Sequence, residues 1–167
     1  MKHLLYILFS LFVFTACEED KETVLPYPMD ELDGTFWEVA KVETSYYDEN
    51  WTLLKQEQRA TDAYLYFKGN SVLYIVPDQS CEEGTYSISL VDQQFSRGKR
   101  IFSYELVEYN KSSFAYSRTH IPYRSQCSGA EYEEDVYWYQ PAEPKRSYEE
   151  YIESYKRTGN YEHVDKY

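Results

Sequence analysis

Histidine is scarce in this 167-residue chain, which has His3, His120 and His163 and no others. His3 lies in the opening segment and His163 in the tail, which leaves His120 alone in the body. Its surroundings, Arg118-Thr119-His120-Ile121-Pro122, read as a loop, with the imidazole solvated rather than catalytic. The spacings Gly-x-Ser-x-Gly and His-Glu-x-x-His and the P-loop are missing. So is the Asp-x-Asp-x-Asp-Gly loop of a calcium site. The chain is therefore expected not to be an enzyme and to carry no cofactor and no metal. Cations are the second shortage: 17 Lys and Arg stand against 29 Asp and Glu, a formal net charge of −12. Arg97, Lys99 and Arg100 form the one tight basic group, so nucleic acid is excluded as a partner, since phosphate binding needs clustered positive charge. The acidic runs Asp48-Glu49, Glu82-Glu83 and Glu131 to Asp135 read as solvated loops. Long apolar runs are the third shortage. Only Leu4 to Phe14 qualifies, and its eleven residues fall short of the roughly 20 that a membrane span needs.

That single run has the order of a secretory signal: Lys2 ahead of it, apolar residues through it, and small residues at its end. Phe14-Thr15-Ala16-Cys17 resembles the bacterial lipoprotein box, which implies cleavage before Cys17 and lipidation there. An ordinary signal peptide with a nearby Cys is the alternative. Several acyl chains together give durable membrane attachment. Glu18-Glu19-Asp20 resembles the export signal of surface lipoproteins in one Gram-negative phylum; a solvated linker is the plainer reading. The expected address is the outer membrane, lipid-anchored and facing outward, with a periplasm-facing protein as the alternative. Residues 1–16 are then signal, and 17–31 a lipidated, acidic tether containing Pro26 and Pro28, with ends on the order of 20 Å apart if flexible. Residues 32–167 form one domain.

With Cys17 assigned to lipid, Cys81 and Cys127 remain, an even number in an oxidising compartment. Parity pairs them as a disulfide, which in the loop-entropy model is worth about 4 kcal/mol. Metal binding by the two is the rival, and neither has a Cys or His neighbour at ligand spacing.

Short strands dominate the domain. Trp37–Val42, Ala63–Phe67, Ser71–Val76, Gly84–Leu90, Arg100–Tyr109, Ser113–Arg118 and Val136–Tyr139 read as strands, with a weaker one near Trp51–Leu53. Tyr86, Ile88 and Leu90 alternate with serines, the period of a half-buried strand. Lys68-Gly69-Asn70 and Asn110-Lys111-Ser112 read as hairpin turns. About eight strands at even spacing point to an all-β antiparallel barrel or sandwich. At the end, Ser147-Tyr148-Glu149-Glu150 has the capping-box form. Tyr148, Tyr151, Ile152 and Tyr155 fall on one helical face. Lys156 and Arg157 suit the negative end of the dipole, and Gly159 can stop the helix. The helix is expected over about 148–157, against the outside of the sheet.

Leu32-Asp33-Gly34-Thr35-Phe36-Trp37-Glu38-Val39 resembles the lipocalin opening, Gly then Trp at the first strand. With Leu65–Asn70, Gly84–Ile88 and Tyr104–Tyr109, it is similar to the lipocalin-like domains of many bacterial lipoproteins. The resemblance implies an eight-stranded up-and-down barrel closed near Trp37, with a C-terminal helix beside it. Gly34 and Trp37 would then be structural. Such a barrel is filled by side chains or holds one small ligand.

Tyrosine is abundant, 20 residues, and many lie on the expected strands. Each ring brings apolar surface and a hydroxyl that needs a partner. Tyrosine is also a good strand former that tolerates half-burial, so its abundance does not by itself define a site. Tyr86, Ile88, Leu90, Phe102, Tyr104 and Leu106 are expected inside the barrel. Of these, Tyr86, Phe102, Tyr104 and Leu106 are the candidate ligand contacts, and the ligand expected is small and amphipathic or aromatic. The alternative is a filled barrel that contacts a protein or glycan, as an inhibitor or accessory subunit does. An open interior favours the first and a filled one the second.

Overall fold

The computed structural model describes residues 32–90, 92–98, 102–122 and 127–164. Cys17, the signal and the tether lie outside the described residues. Ten strands and one helix follow in order: β1 (Phe36–Tyr47), β2 (Leu53–Arg59), β3 (Tyr64–Lys68), β4 (Ser71–Val76), β5 (Ser80–Ser89), β6 (Gln94–Arg97), β7 (Phe102–Tyr109), β8 (Phe114–His120), β9 (Tyr132–Pro141), α1 (Tyr148–Thr158) and β10 (Tyr161–His163). Eight of them pair in a closed circuit, β1-β3-β4-β5-β6-β7-β8-β9 and back to β1, and every pairing in it is antiparallel. The ring also numbers eight, but its membership differs from the expected set: β6 is not among the expected strands, and the weak strand expected near Trp51–Leu53 is β2, which lies off the ring. Off the ring, β2 continues the edge of β1 that β3 occupies, and β10 lies parallel to β5.

Local chemistry accounts for the joints. Gly34, at φ +77°, takes the left-handed turn that leads into β1, and its N–H donates to the Phe67 carbonyl at 3.0 Å. A side chain with a β-carbon resists that conformation. Gly69 does the same between β3 and β4. At the β7–β8 turn, the Asn110 side-chain oxygen accepts from the backbone N–H groups of Ser112 and Ser113, both at 2.9 Å. The expected helix is present. The Ser147 hydroxyl accepts from the Glu150 N–H, the Glu150 carboxylate accepts from the Ser147 N–H, and Gly159 closes the far end at φ +76°.

Side chains separate cleanly into two clusters. Inside the ring, Phe114 is surrounded by the rings of Trp37, Phe67, Phe95, Tyr109, Tyr116 and Tyr139. Outside it, α1 lays Tyr148, Tyr151, Ile152 and Tyr155 over Phe36, Leu73, Ile75 and Cys81. The helix covers the outer face of the sheet, as its amphipathic stripe requires.

Two bulges decide which residues point inward. In β1 the register against β9 shifts between Val39 and Lys41. One extra residue changes the phase of the strand, so Trp37 and Val39 face the core before it, and Val42, Thr44 and Tyr46 after it. In β7 a shift between Leu106 and Glu108 likewise brings Tyr109 inward.

Candidate functional site

The ring interior changes character along its length. At the end where the chain enters, Leu32, Trp37, Phe67 and Phe114 are no more than 2% exposed. The Trp37 indole N–H donates to the Thr35 hydroxyl at 2.9 Å, so its one polar atom is satisfied. Farther along sit tyrosines that bond to one another: Tyr116 and Tyr139 share a hydrogen bond of 2.9 Å between hydroxyls. Burial holds both phenols well above their ordinary pKa, so they remain neutral.

Beyond them the interior becomes ionic. Buried Arg97 lies 3.4 Å from Glu82 and stacks over the Tyr74 ring at 4.3 Å. Asp135 is 3% exposed, accepts from the Thr44 hydroxyl at 2.6 Å, and faces Arg118 at 3.6 Å and Arg59 at 3.8 Å. His120 stands 3.8 Å from Glu133. Tyr74, Glu82, Arg97, Tyr104, Tyr116, Arg118 and Tyr137 line a partly open cavity of about 190 Å³. Ligand pockets ordinarily begin near 300 Å³, so this space is small for one.

His120, Glu133 and Asp135 place three metal-type ligand atoms within 4.8 Å of one another. Two guanidinium groups already neutralise Asp135, which fits an ion-paired network better than a cation site.

Several expectations change here. The stretch 131–135 is not a solvated loop: Tyr132 opens β9, and Asp135 on it is buried. Glu82 and Glu83 are half-buried on β5, and His120 is the last residue of β8 rather than part of a loop. On these strands Asp135 meets the Thr44 hydroxyl, Glu82 meets Arg97, Glu83 accepts from the Tyr148 hydroxyl, and His120 faces Glu133. The Cys81–Cys127 disulfide is not formed. Cys81 is a free thiol, fully buried under α1, whereas Cys127 lies in the β8–β9 connection. Burial first, then Glu83 and Glu82, push the Cys81 thiol up to about 12.

Of the expected interior residues, Tyr104 and Leu106 are buried in the core, and Tyr104 also lines the cavity. Tyr86 is half-buried at the core edge, its ring 4.8 Å from Phe67 and its hydroxyl on the Gly69 carbonyl. Ile88 packs against the core, but Leu90 lies past the end of β5 and is exposed. Phe102 opens β7 opposite Arg97, and its side chain is not among those described. Among the described side chains of the four candidate contacts, Tyr104 lines the cavity, while Leu106 is in the core and Tyr86 at its edge.

A site that the sequence reading did not single out stands outside the ring. Past it, β1 continues between β9 and β2, and the β1–β2 turn projects Trp51. Trp51 has φ +60°, a genuine outlier for a bulky side chain. The turn that holds it is well made. The Asp48 carboxylate accepts from the Asn50 N–H at 2.9 Å and the Thr52 N–H at 2.8 Å, and Trp51 N–H donates to the Asp48 carbonyl at 3.1 Å. Those backbone donors, Thr52 foremost, hold the Asp48 carboxyl below its ordinary range. The indole lies parallel to the Tyr132 ring at 4.5 Å, with the Tyr47 ring at 5.6 Å, yet Trp51 remains 54% exposed. Tyr47 is itself tied down by its hydroxyl on Glu134 at 3.1 Å. The signal in the sequence was a turn-forming Asp48-Glu49-Asn50 followed at once by Trp.

No family model and no curated protein matches this chain.

Proposed function

We propose that this protein is a lipid-anchored, outward-facing lipoprotein with a lipocalin-like up-and-down barrel, and that it works by engaging a macromolecular partner at the end remote from its anchor. The partner class that the surface fits is a neutral glycan. The observation that carries this reading is Trp51: strained backbone at an exposed aromatic is the kind of outlier that marks a binding position. A pyranose presents C–H groups to the negative face of an aromatic ring, and the Trp51–Tyr132–Tyr47 group is a rigid platform for it. Asp48, Glu49 and Glu134 supply acceptors around the platform and disfavour an anionic polymer. A filled interior supports the same reading, because Trp37, Phe67, Phe95 and Phe114 occupy the space where a lipocalin ligand would sit.

Position agrees. Cys17 and its tether lead to Leu32, beside Trp37, and β1 then runs from Phe36 to Tyr47. At about 3.3 Å per residue, Trp51 is carried roughly 35–40 Å from the tethered end. The reading involves no catalytic step and no cofactor.

A second reading retains a small ligand, amphipathic or aromatic, at the Arg97–Glu82 cavity. One pair of measurements separates the two. Affinity electrophoresis in neutral polysaccharides should retard the parent and not Trp51→Ala. Retardation of both alike, together with a rise in melting temperature on adding apolar metabolites, would transfer the function to the cavity.

A further inference from the structure

We propose that two copies of the chain associate by pairing β2 with β2, antiparallel, about a two-fold axis through Gln56. This goes beyond the glycan reading and does not rest on it. Among the described residues, β2 pairs with β1 along one edge and with no strand along the other. Its seven residues are all exposed except Glu57, which is half-buried. Leu53–Arg59 contains no proline and no glycine, and its one register shift lies at the turn end, between Tyr46 and Tyr47. An open, regular edge of this kind is a template for another strand. Native proteins protect such an edge with charges, a proline or a bulge, cover it, or use it; here the charges, Lys55, Glu57 and Arg59, are of both signs.

The charges along the edge select a second copy as the occupant and also select the register. A two-fold axis normal to the sheet keeps each residue on its own face, so it passes through a residue rather than between two. Centred on Gln56, it sets Lys55 of each copy opposite Glu57 of the other, with Leu54 opposite Gln58 and Leu53 opposite Arg59. Centred on Lys55, it sets Lys55 on Lys55. Centred on Glu57, it sets Glu57 on Glu57 and Lys55 on Arg59; centred on Gln58, it sets Glu57 opposite Arg59 but pairs only residues 57–59, where the Gln56 register pairs the whole strand. Opposite charges directly across an antiparallel pair stabilise it, and like charges destabilise it. Within one copy, Lys55 and Glu57 already lie 2.6 Å apart on the same face, so the dimer completes an alternating square of four charges. The contact is isologous and consumes both free edges, so it closes at two copies instead of growing into a fibre. The two Trp51 turns then lie at opposite ends of the joined strands.

The test uses the full chain in the intact envelope of a Gram-negative host, oxidised and run on a non-reducing gel beside the parent. Gln56→Cys places two thiols on the axis and should give a disulfide-linked dimer that the parent lacks. Gln58→Cys, displaced from its own copy by four residues along the strand, should give about tenfold less. Adding Lys55→Glu to Gln56→Cys should cut the dimer by a similar factor, and adding Glu57→Lys to that pair should restore it. Equal cross-linking at positions 56 and 58, indifference to the charge changes, or a monomer mass for the detergent-extracted parent would each overturn the proposal. All the substituted positions are on the exposed strand, and an unchanged melting temperature checks that the variants fold.

Discussion

Trp37 and Trp51 stand at opposite ends of β1, and the chain treats them in opposite ways. Trp37 is 2% exposed, has its indole N–H satisfied, and packs against Phe114. Trp51 is 54% exposed, sits on left-handed backbone, and packs one side against Tyr132. The Trp37 end of the molecule spends its aromatics on closing a core. The far end spends them on a surface, and replaces the core by the Arg97–Glu82 and Asp135 ion pairs. Stability is thus expected to reside at one end and recognition at the other.

The harshest way to break that division is alkali, because it attacks the buried tyrosines together. Burial, and for Tyr46 also the hydrogen bond to Glu57, raises the folded-state pKa of Tyr46 from 10.0 to about 12, and Tyr116 and Tyr139 lie higher. Above pH 10 the unfolded chain loses phenolic protons that the folded chain keeps. Fewer protons on the unfolded state make the slope of stability with pH negative. The contribution is complete below pH 10 and is lost as pH rises through about 12. We expect cooperative unfolding in that window, with phenolate absorbance rising in the same transition as the loss of sheet signal. Gradual ionisation of these buried tyrosines with the sheet intact would show that they are not sealed.

Trp37→Ala should come next. A large aromatic removed from a packed core costs about 3–5 kcal/mol, and Trp37 is 2% exposed among buried Phe114 and Leu32. Chemical denaturation should show the midpoint moving with little change in slope. A loss under about 1 kcal/mol would mean that the Trp37 end is looser than its packing.

Asp135→Ala is expected to cost less, about 1–3 kcal/mol. It leaves the buried Thr44 hydroxyl without its acceptor, but Arg59 and Arg118 are nearly half exposed and can turn to water. Asp135→Asn, which retains an acceptor for Thr44, should recover part of the loss in the same denaturation experiment.

How much of this was readable beforehand follows the same division. The helix was legible because capping box, stripe and terminal glycine all agreed. The hairpins at Gly69 and Asn110 were legible because turn chemistry is local. Trp37 and the inward phase of Tyr104 followed from alternation and from the lipocalin-like opening. The bulge after Val39 was not legible: an extra residue reverses the phase of β1, and only pairing with β9 reveals it. Four-residue β6 was too short to show a period. Asp135 and Glu82 looked solvated because their cations, Arg118, Arg59 and Arg97, are remote in sequence. The Cys81–Cys127 bridge was inferred from parity, which carries no distance, and the fold places Cys81 beneath a helix.

Trp51→Ala is the smallest change expected in stability and the sharpest test of the comparison. Trp51 is 54% exposed and belongs to neither core cluster, so little apolar burial is lost; the stacking on Tyr132 is worth on the order of 0.5–1.5 kcal/mol beyond burial in a well-packed pair. Against that, alanine relieves part of the crowding of a bulky side chain at positive φ, and Trp51→Gly relieves all of it. These terms oppose each other, so thermal melts of Trp51→Ala should lie within about 0.5 kcal/mol of the parent, as for ordinary surface changes. Trp51→Gly should match or exceed the parent. A residue that costs backbone strain and returns no stability is retained for what it touches, and both variants should lose glycan retardation while melting normally. If Trp51→Gly instead melts well below the parent, the Trp51–Tyr132–Tyr47 group is holding the β1–β2 turn together, and the far end is built for stability after all.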